Sequence, residues 1–181
     1  MRVIGNGGHA RVVADLLDHP VDHFSRPYCQ DGIIIAVGDN RARKELFEKH
    51  GGATIVHWSA VVSLTAEIGY GAQIMAGAVI QAHAKIGRNT IVNTNASVDH
   101  DCIIGDHCHI APGAVLCGSV VLGDGCFIGA GSVIVQGVKL DAGTFIPAGS
   151  LVVERGDVRR PLGVVSGERP SKVDPGKADL V

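Results

Sequence analysis

The chain has 181 residues, a formal net charge of −2 and 25 glycines; 46% of it is hydrophobic but only 4% aromatic. That apolar content excludes a disordered chain, and the near-neutral charge gives no basis for nucleic-acid binding or electrostatic membrane attachment. No run of eighteen apolar residues and no signal-peptide pattern occurs, so a cytoplasmic protein with reduced thiols is expected. The five cysteines, Cys29, Cys102, Cys108, Cys117 and Cys126, lack CxxC spacing, and their odd number argues against a disulfide framework.

In chain order, Val3-Ile4 reads as a strand and Gly5 to Ala10 as a Gly-rich turn. Arg11 to Leu17 has helical spacing, with Val12, Val13, Leu16 and Leu17 apolar. Ile33 to Val37 reads as a second strand and Asp39 to Lys49 as a polar amphipathic helix. This βαβα order predicts a small Rossmann-like parallel sheet over residues 1–55, too short for a complete doubly wound fold. The turn fits G-x-G-x-x-[GA] through Gly5, Gly7 and Ala10. Backbone N–H groups at Gly7, Gly8 and His9 could meet phosphate oxygens there. Three readings stay open: a dinucleotide cofactor, a nucleotide-linked substrate, or a structural turn. The acidic residue expected about 20 residues on has no clear counterpart.

From Val56 the pattern changes. Every sixth residue is Val, Ile or Leu, through Val62, Ile68, Ile74, Ile80 and Ile86 to Val98, Ile110, Leu116 and finally Val152, without an insertion. Four residues after each stands a compact side chain, from Ala60 to Ser150. A helix would smear a sixfold period around its axis, and a plain strand would enforce only two. The period predicts a mainly β fold: a triangular parallel β-helix with three hexads per coil and aliphatic residues inside. Cys102, Cys108 and Cys126 take the compact inward position, whereas Cys117 is expected to face outward.

The most polar stretch of the repeat runs from Asn93 to His109. His100 falls two residues after inward Val98, at a corner, between Asp99 and Asp101. A carboxylate beside an imidazole fixes its tautomer and raises its basicity, which suits a general base. His107 and His109 flank inward Cys108, so both are expected to point outward, toward a ligand or a metal. His83, His100, His107 and His109 could be imagined as a zinc set, but their spacing matches no such site. The tail 166–181, rich in Pro, Gly and charge, is expected to be loose.

The segments GNGGHARVV, AVGDNRARKELFEKHG, HWSAVVS and NTNASVDHDCIIGDHCHIAPGA together resemble the bacterial nucleotide-sugar N-acetyltransferases. That family covers UDP-4-amino-sugar and GDP-perosamine enzymes within the hexapeptide-repeat acyltransferases, with sialic-acid O-acetyltransferases as relatives. The resemblance implies a left-handed β-helix over 56–165 that assembles as a homotrimer. Acetyl-CoA would lie in grooves between adjacent prisms, and no metal is expected. It implies His100 as the general base and Asp101 as the acid that raises its basicity. His109 would lie near the thioester, with Gly118, Ala130 and Ala148 lining the CoA groove. Asn93 would lie near the sugar, and Gly7, Gly8 and His9 would contact the substrate from the N-terminal piece. Direct attack by the amine on the thioester would follow, without a covalent intermediate. A sugar or sialic-acid O-acetyltransferase would use the same base; a metal-dependent enzyme or an inactive scaffold are more distant alternatives. Two departures stand out. The usual Asp-Asp motif is replaced by VDHFSRPYCQDG, leaving only Asp31, and the usual G-x-P-A-[KR] reads Gly163-Val164-Val165-Ser166.

Overall fold

The repeat closes into a prism because each hexad contains one backbone position that only some residues tolerate. From Gly71 to Gly149 every sixth residue has φ between 53° and 74°. Glycine takes most of these positions, and His83, Asn89, Asn95, Asp101, His107 and Ser119 take the others. Asn, Asp and His are the side chains that tolerate the left-handed region best, since a larger Cβ substituent clashes with the carbonyl. Eight of the 25 glycines hold these turn positions. Each turn is followed by a two-residue strand, and strands eighteen residues apart pair in parallel, as in Ser97↔Val115 and Val98↔Leu116.

The structure is a computed structural model that describes residues 2–18, 32–154 and 157–159. Expectations about Cys29, Asp31, the Gly163–Ser166 segment and the tail 166–181 lie outside these residues.

The fold is mainly β, a parallel solenoid with three flat faces. The first face stacks Ile55–Val56, Gln73–Ile74, Ile91–Val92, His109–Ile110, Phe127–Ile128 and Phe145–Ile146. The second stacks Val61–Val62, Val79–Ile80, Ser97–Val98, Val115–Leu116, Val133–Ile134 and Leu151–Glu154. The third stacks Glu67–Ile68, Lys85–Ile86, Ile103–Ile104, Val121–Leu122 and Lys139–Leu140. A hairpin to Asp157–Arg159, antiparallel, ends the second face. The sixfold column lines the interior as expected, with Ile74, Val92, Val98, Ile110, Leu116 and Ile128 wholly buried. Each such side chain contributes about 1.5–3 kcal/mol by leaving water. Cys102, Cys108 and Cys126 are buried free thiols, and Cys117 is half-buried. The buried thiols donate to turn carbonyls, Cys102 Sγ to Cys117 O at 3.1 Å and Cys126 Sγ to Asp141 O at 3.1 Å.

The N-terminal piece consists of strand β1 (Arg2–Ile4), helix α1 (Gly8–Asp18), strand β2 (Ile33–Ile35) and helix α2 (Asn40–His50). β1 and β2 pair in parallel. Asp39 caps α2, its carboxylate accepting from Ala42 N at 2.9 Å, so the helix starts one residue later than its sequence pattern implies. The piece leans on the first face. Val13 and Leu16 of α1 share a buried cluster with Ile34, Ile55, Met75 and Ile91. Among the described residues no helix is long and apolar enough to cross a membrane.

Candidate active site

His100 stands at the turn between the second and third faces, immediately after Ser97–Val98. Its Nδ1 lies 2.8 Å from Asp101 Oδ2, and its backbone N donates to Asp99 Oδ1 at 2.7 Å. An ionised carboxylate only accepts, so Nδ1 carries the proton and the Nε2 lone pair is free for chemistry. The ring is half exposed. The Asp101 hydrogen bond raises the His100 pKa above its ordinary value. Asp101 occupies the left-handed turn position at φ 58°, which aims its side chain back along the turn.

One coil above, Gly118 seats the imidazole. A Cβ there would lie 2.6 Å from both Cε1 and Nε2 of His100. Only glycine leaves the ring its place. The Gly118 N–H finds no acceptor among the described residues, while its neighbours pair as Cys117 N→Ile134 O and Ser119 N→His100 O.

A second constellation lies on the first face, under the N-terminal piece. His109 is 7% exposed, with Nδ1 donating to Gly38 O at 3.0 Å and Nε2 accepting from Asn93 Nδ2 at 3.1 Å. Its ring meets Phe127 edge-on, centroids 5.1 Å apart, and Phe127 stacks on Phe145. Burial, and then the charge of Arg43, press the His109 pKa down to about 3. His9, near the start of α1, approaches His109 with ring centroids 6.4 Å apart and bonds Gln73 Oε1 at 2.9 Å. Burial lowers its pKa too. A Cβ at Gly7 or Gly8 would meet nothing within 4 Å, so the turn before α1 stays open.

The expectation that His107 and His109 point outward to a ligand or metal needs correction. Both leave the prism interior, but α2 and the loop before it cover them, leaving each 7% exposed. His107 holds the left-handed turn position at φ 58°. It bonds Asn89 Nδ2 at 2.9 Å and meets Phe47 edge-on. The imagined zinc set disperses. His83 and His100 belong to the turn between second and third faces, His107 to the turn between third and first, and His109 to the first face. Among the described residues no three His, Cys, Asp or Glu side chains converge to hold a metal.

The candidate residues therefore divide by edge. His100, Asp101 and Gly118 share the edge between second and third faces. Asn93, Ala130 and Ala148 share the edge between first and second, Ala130 and Ala148 exposed there. His9, Gly7, Gly8 and His109 stand on the first face. One residue escaped sequence reading altogether. Arg43, on the polar α2, is fully buried and donates to carbonyls of both the solenoid and the loop before α2. Its charge in a mostly polar helix offered no signal of burial beside Ala42 and Phe47.

A family model described as bacterial transferase hexapeptide (six repeats) matches residues 83–118. Among solved structures, a mutant GDP-perosamine N-acetyltransferase from Caulobacter crescentus, in complex with CoA and GDP-perosamine, is 32% identical. It covers 88% of this chain and 96% of its own, with a TM-score of 0.75. The acetyltransferase domain of PglB from Neisseria gonorrhoeae is 33% identical over 89% of this chain and 92% of its own, TM-score 0.75. PerB from Caulobacter crescentus, in complex with CoA and GDP-perosamine, is 36% identical over 84% of this chain and 88% of its own, TM-score 0.74. No curated protein sequence matches.

Proposed function

We infer function from one premise: the chain belongs to the bacterial nucleotide-sugar N-acetyltransferase family of hexapeptide-repeat acyltransferases, with the perosamine enzyme and the PglB domain. It is an acetyl-CoA-dependent N-acetyltransferase that acetylates the amino group of a nucleotide-linked amino sugar. The observation that carries this reading is the exposed His100–Asp101 pair seated on Gly118.

The chemistry follows from that geometry. Asp101 holds the Nδ1 proton, so Nε2 accepts a proton from the sugar amine as its nitrogen attacks the thioester carbonyl. The negative charge that develops on the carbonyl oxygen meets a backbone donor, and the Gly118 N–H, without an acceptor among the described residues, supplies one on the same edge. Collapse expels CoA as the thiolate, which takes the proton from His100 Nε2 and leaves as the thiol. No enzyme nucleophile is needed. The bond from Cys108 lowers the Cys126 thiol to about 7, but Cys126 is wholly buried inside the prism, where no substrate reaches it. Burial raises the Cys102 thiol, and bonding to Cys126 together with burial raises Cys108.

The edges argue for shared sites. His100 and Gly118 stand on one side of the second face, Asn93, Ala130 and Ala148 on the other. The outward row between them is apolar but for Ser97, with Val61 63%, Val115 36% and Leu151 40% exposed. A cyclic homotrimer packing through this face brings the base edge of one prism against the Asn93 edge of the next. Acetyl-CoA then lies in the groove between prisms, held by Gly118 of one and by Ala130 and Ala148 of the other. Residues 1–55, read as a Rossmann-like piece, choose the substrate through Gly7, Gly8 and His9. Residues 56–165, a left-handed prism, hold acetyl-CoA, and 166–181 form a tail. The site is cytoplasmic, where acetyl-CoA and nucleotide sugars meet.

The test is CoA-thiol release from acetyl-CoA against UDP-, GDP- and dTDP-linked amino sugars and sialic acid. Turnover with an amino sugar, lost by ~10²-fold or more in His100→Ala, is expected. Transfer to sialic acid alone would replace the amine with a hydroxyl acceptor. A second test mixes His100→Ala chains with Ala130→Trp chains, whose indole fills the CoA groove from the Asn93 edge, in one cell. Shared sites restore about a quarter of wild-type activity by random assembly of a heterologous ring. Sites built within one chain restore none.

A further inference from the structure

Arg43 is a cation buried without an anion. It is 0% exposed, and no carboxylate lies within ion-pair distance among the described residues. Its guanidinium is met by oxygens instead. Nε donates to Asn89 O at 3.0 Å, and Nη2 to His107 O and Cys108 O at 2.9 Å each and to Asn40 Oδ1 at 3.0 Å. Nη1 donates to Val37 O at 3.1 Å and Gly38 O at 3.2 Å. The guanidinium therefore ties two solenoid turns to the loop that precedes α2.

The Gly38 carbonyl is the telling contact. It has two lone pairs and serves two donors, Arg43 Nη1 and His109 Nδ1. A carbonyl cannot donate, so His109 must carry its proton on Nδ1. Burial and the Arg43 charge keep that ring neutral, its pKa near 3. A neutral imidazole protonated on Nδ1 has a lone pair on Nε2, and only an N–H can face it. Asn93 accordingly turns Nδ2 to His109, while its Oδ1 accepts from Thr94 N at 2.8 Å and Thr94 Oγ1 at 3.4 Å. Each step leaves one orientation, and the second Nδ2 hydrogen of Asn93 is left over with no acceptor among the described residues.

We propose that Arg43 is a positioning residue. By holding the Gly38 carbonyl against His109, it sets the imidazole as the Nδ1–H tautomer, and thereby makes Asn93 present a hydrogen-bond donor rather than an acceptor to the substrate edge. The atom that Asn93 meets on the substrate is an acceptor, such as a sugar hydroxyl oxygen. This assignment rests on the reading of Asn93 as a substrate-facing residue. The lock itself does not.

The experiment is a two-bond ¹⁵N–¹H correlation of ring-labelled histidine in the full chain at pH 7. The His109 signals are assigned by their loss in His109→Asn. Wild type is expected to show a protonated Nδ1 and an unprotonated Nε2 at His109. In Arg43→Gln and Arg43→Lys, the Nε2–H tautomer appears. The KM for the amino-sugar acceptor is then expected to rise about tenfold, the scale of one lost hydrogen bond, with kcat nearly unchanged. Asn93→Asp, which removes the donor, is expected to raise KM similarly and to add nothing on top of Arg43→Gln. An Nε2–H or charged His109 in wild type overturns the proposal, whatever the variants do. So does a folded Arg43 variant that keeps the Nδ1–H tautomer and the wild-type KM, or a double variant whose effects add. Should both Arg43 variants fail to fold, the wild-type tautomer decides. A chain that turns over no acceptor at all sinks the acetyltransferase reading, while the His109 spectra still decide the lock.

Discussion

Gly118→Ala is the sharpest perturbation the site permits. Gly118 is not among the residues with positive φ, so alanine brings no backbone strain. Its Cβ would fall 2.6 Å from both Cε1 and Nε2 of His100, where ordinary contact begins near 3.4 Å. The imidazole, tied to Asp101 at 2.8 Å, must retreat by the difference, about 0.8 Å. A displacement of that size at a reacting atom costs about 10²-fold in rate, or ~2.7 kcal/mol of transition-state stabilisation. The assay is CoA-thiol release at subsaturating acceptor, together with a thermal melt. The expected result is kcat/KM down about a hundredfold with the melting temperature within a few degrees of wild type. A folded Gly118→Ala enzyme with kcat/KM within threefold of wild type would refute the seat, and with it the placement of the base.

Four further outcomes follow from the same structure. Asp101→Asn keeps a side chain that tolerates the left-handed turn but lets an amide N–H face Nδ1, which puts the proton on Nε2; kcat is expected to fall by ~10² or more. In wild type the activity rises with pH through the His100 pKa, which lies above the ordinary value, and Asp101→Ala should move that limb toward acid in a pH–rate profile. Stability runs in the same direction for a different reason, because burial holds His9, His107 and His109 below their ordinary values. The unfolded chain takes up protons near pH 6.5 where the native state does not, so this stability is complete above that pH and is lost as pH falls below it toward the folded values. Denaturant midpoints should drop from pH 7 to pH 4, and His109→Gln should flatten the drop; a midpoint that is constant or rises would contradict the buried-neutral assignment. Finally, Val115→Lys on the exposed second face is expected to convert the assembly to monomer by light scattering and to abolish turnover; an active monomer would rule out shared sites.

Much of the prism was legible because its determinants are periodic and local. A strict interval of six puts Val98, Ile110 and Leu116 inside whatever the rest of the chain does, and it assigns Cys102, Cys108 and Cys126 to the same interior. His100 and Asp101 were legible for the same reason. They are adjacent in sequence, and the hexad register alone places them at a turn. The left-handed position was present in the sequence as Gly, Asn, Asp, His or Ser at every sixth residue, but a glycine-rich repeat reads as loose turns until the backbone angles are in hand. It explains why His107 is a histidine without requiring it to hold a ligand.

What the sequence determined by itself is the solenoid, its interior and the placing of His100 between two carboxylates at a turn, since each depends on residues within one hexad. Tertiary structure decided the rest. Arg43 looked like one more charge on a polar helix, yet it is buried because the carbonyls that satisfy it come from residues 37–38, 89 and 107–108. His109 looked outward-facing and proved covered, because what covers it is a loop 71 residues earlier in the chain. The separation of the base edge from the Asn93 edge emerged only when three hexads closed into one coil. No local pattern encodes which distant carbonyl a buried cation will find, or which face of a closed prism two sequence neighbours will share.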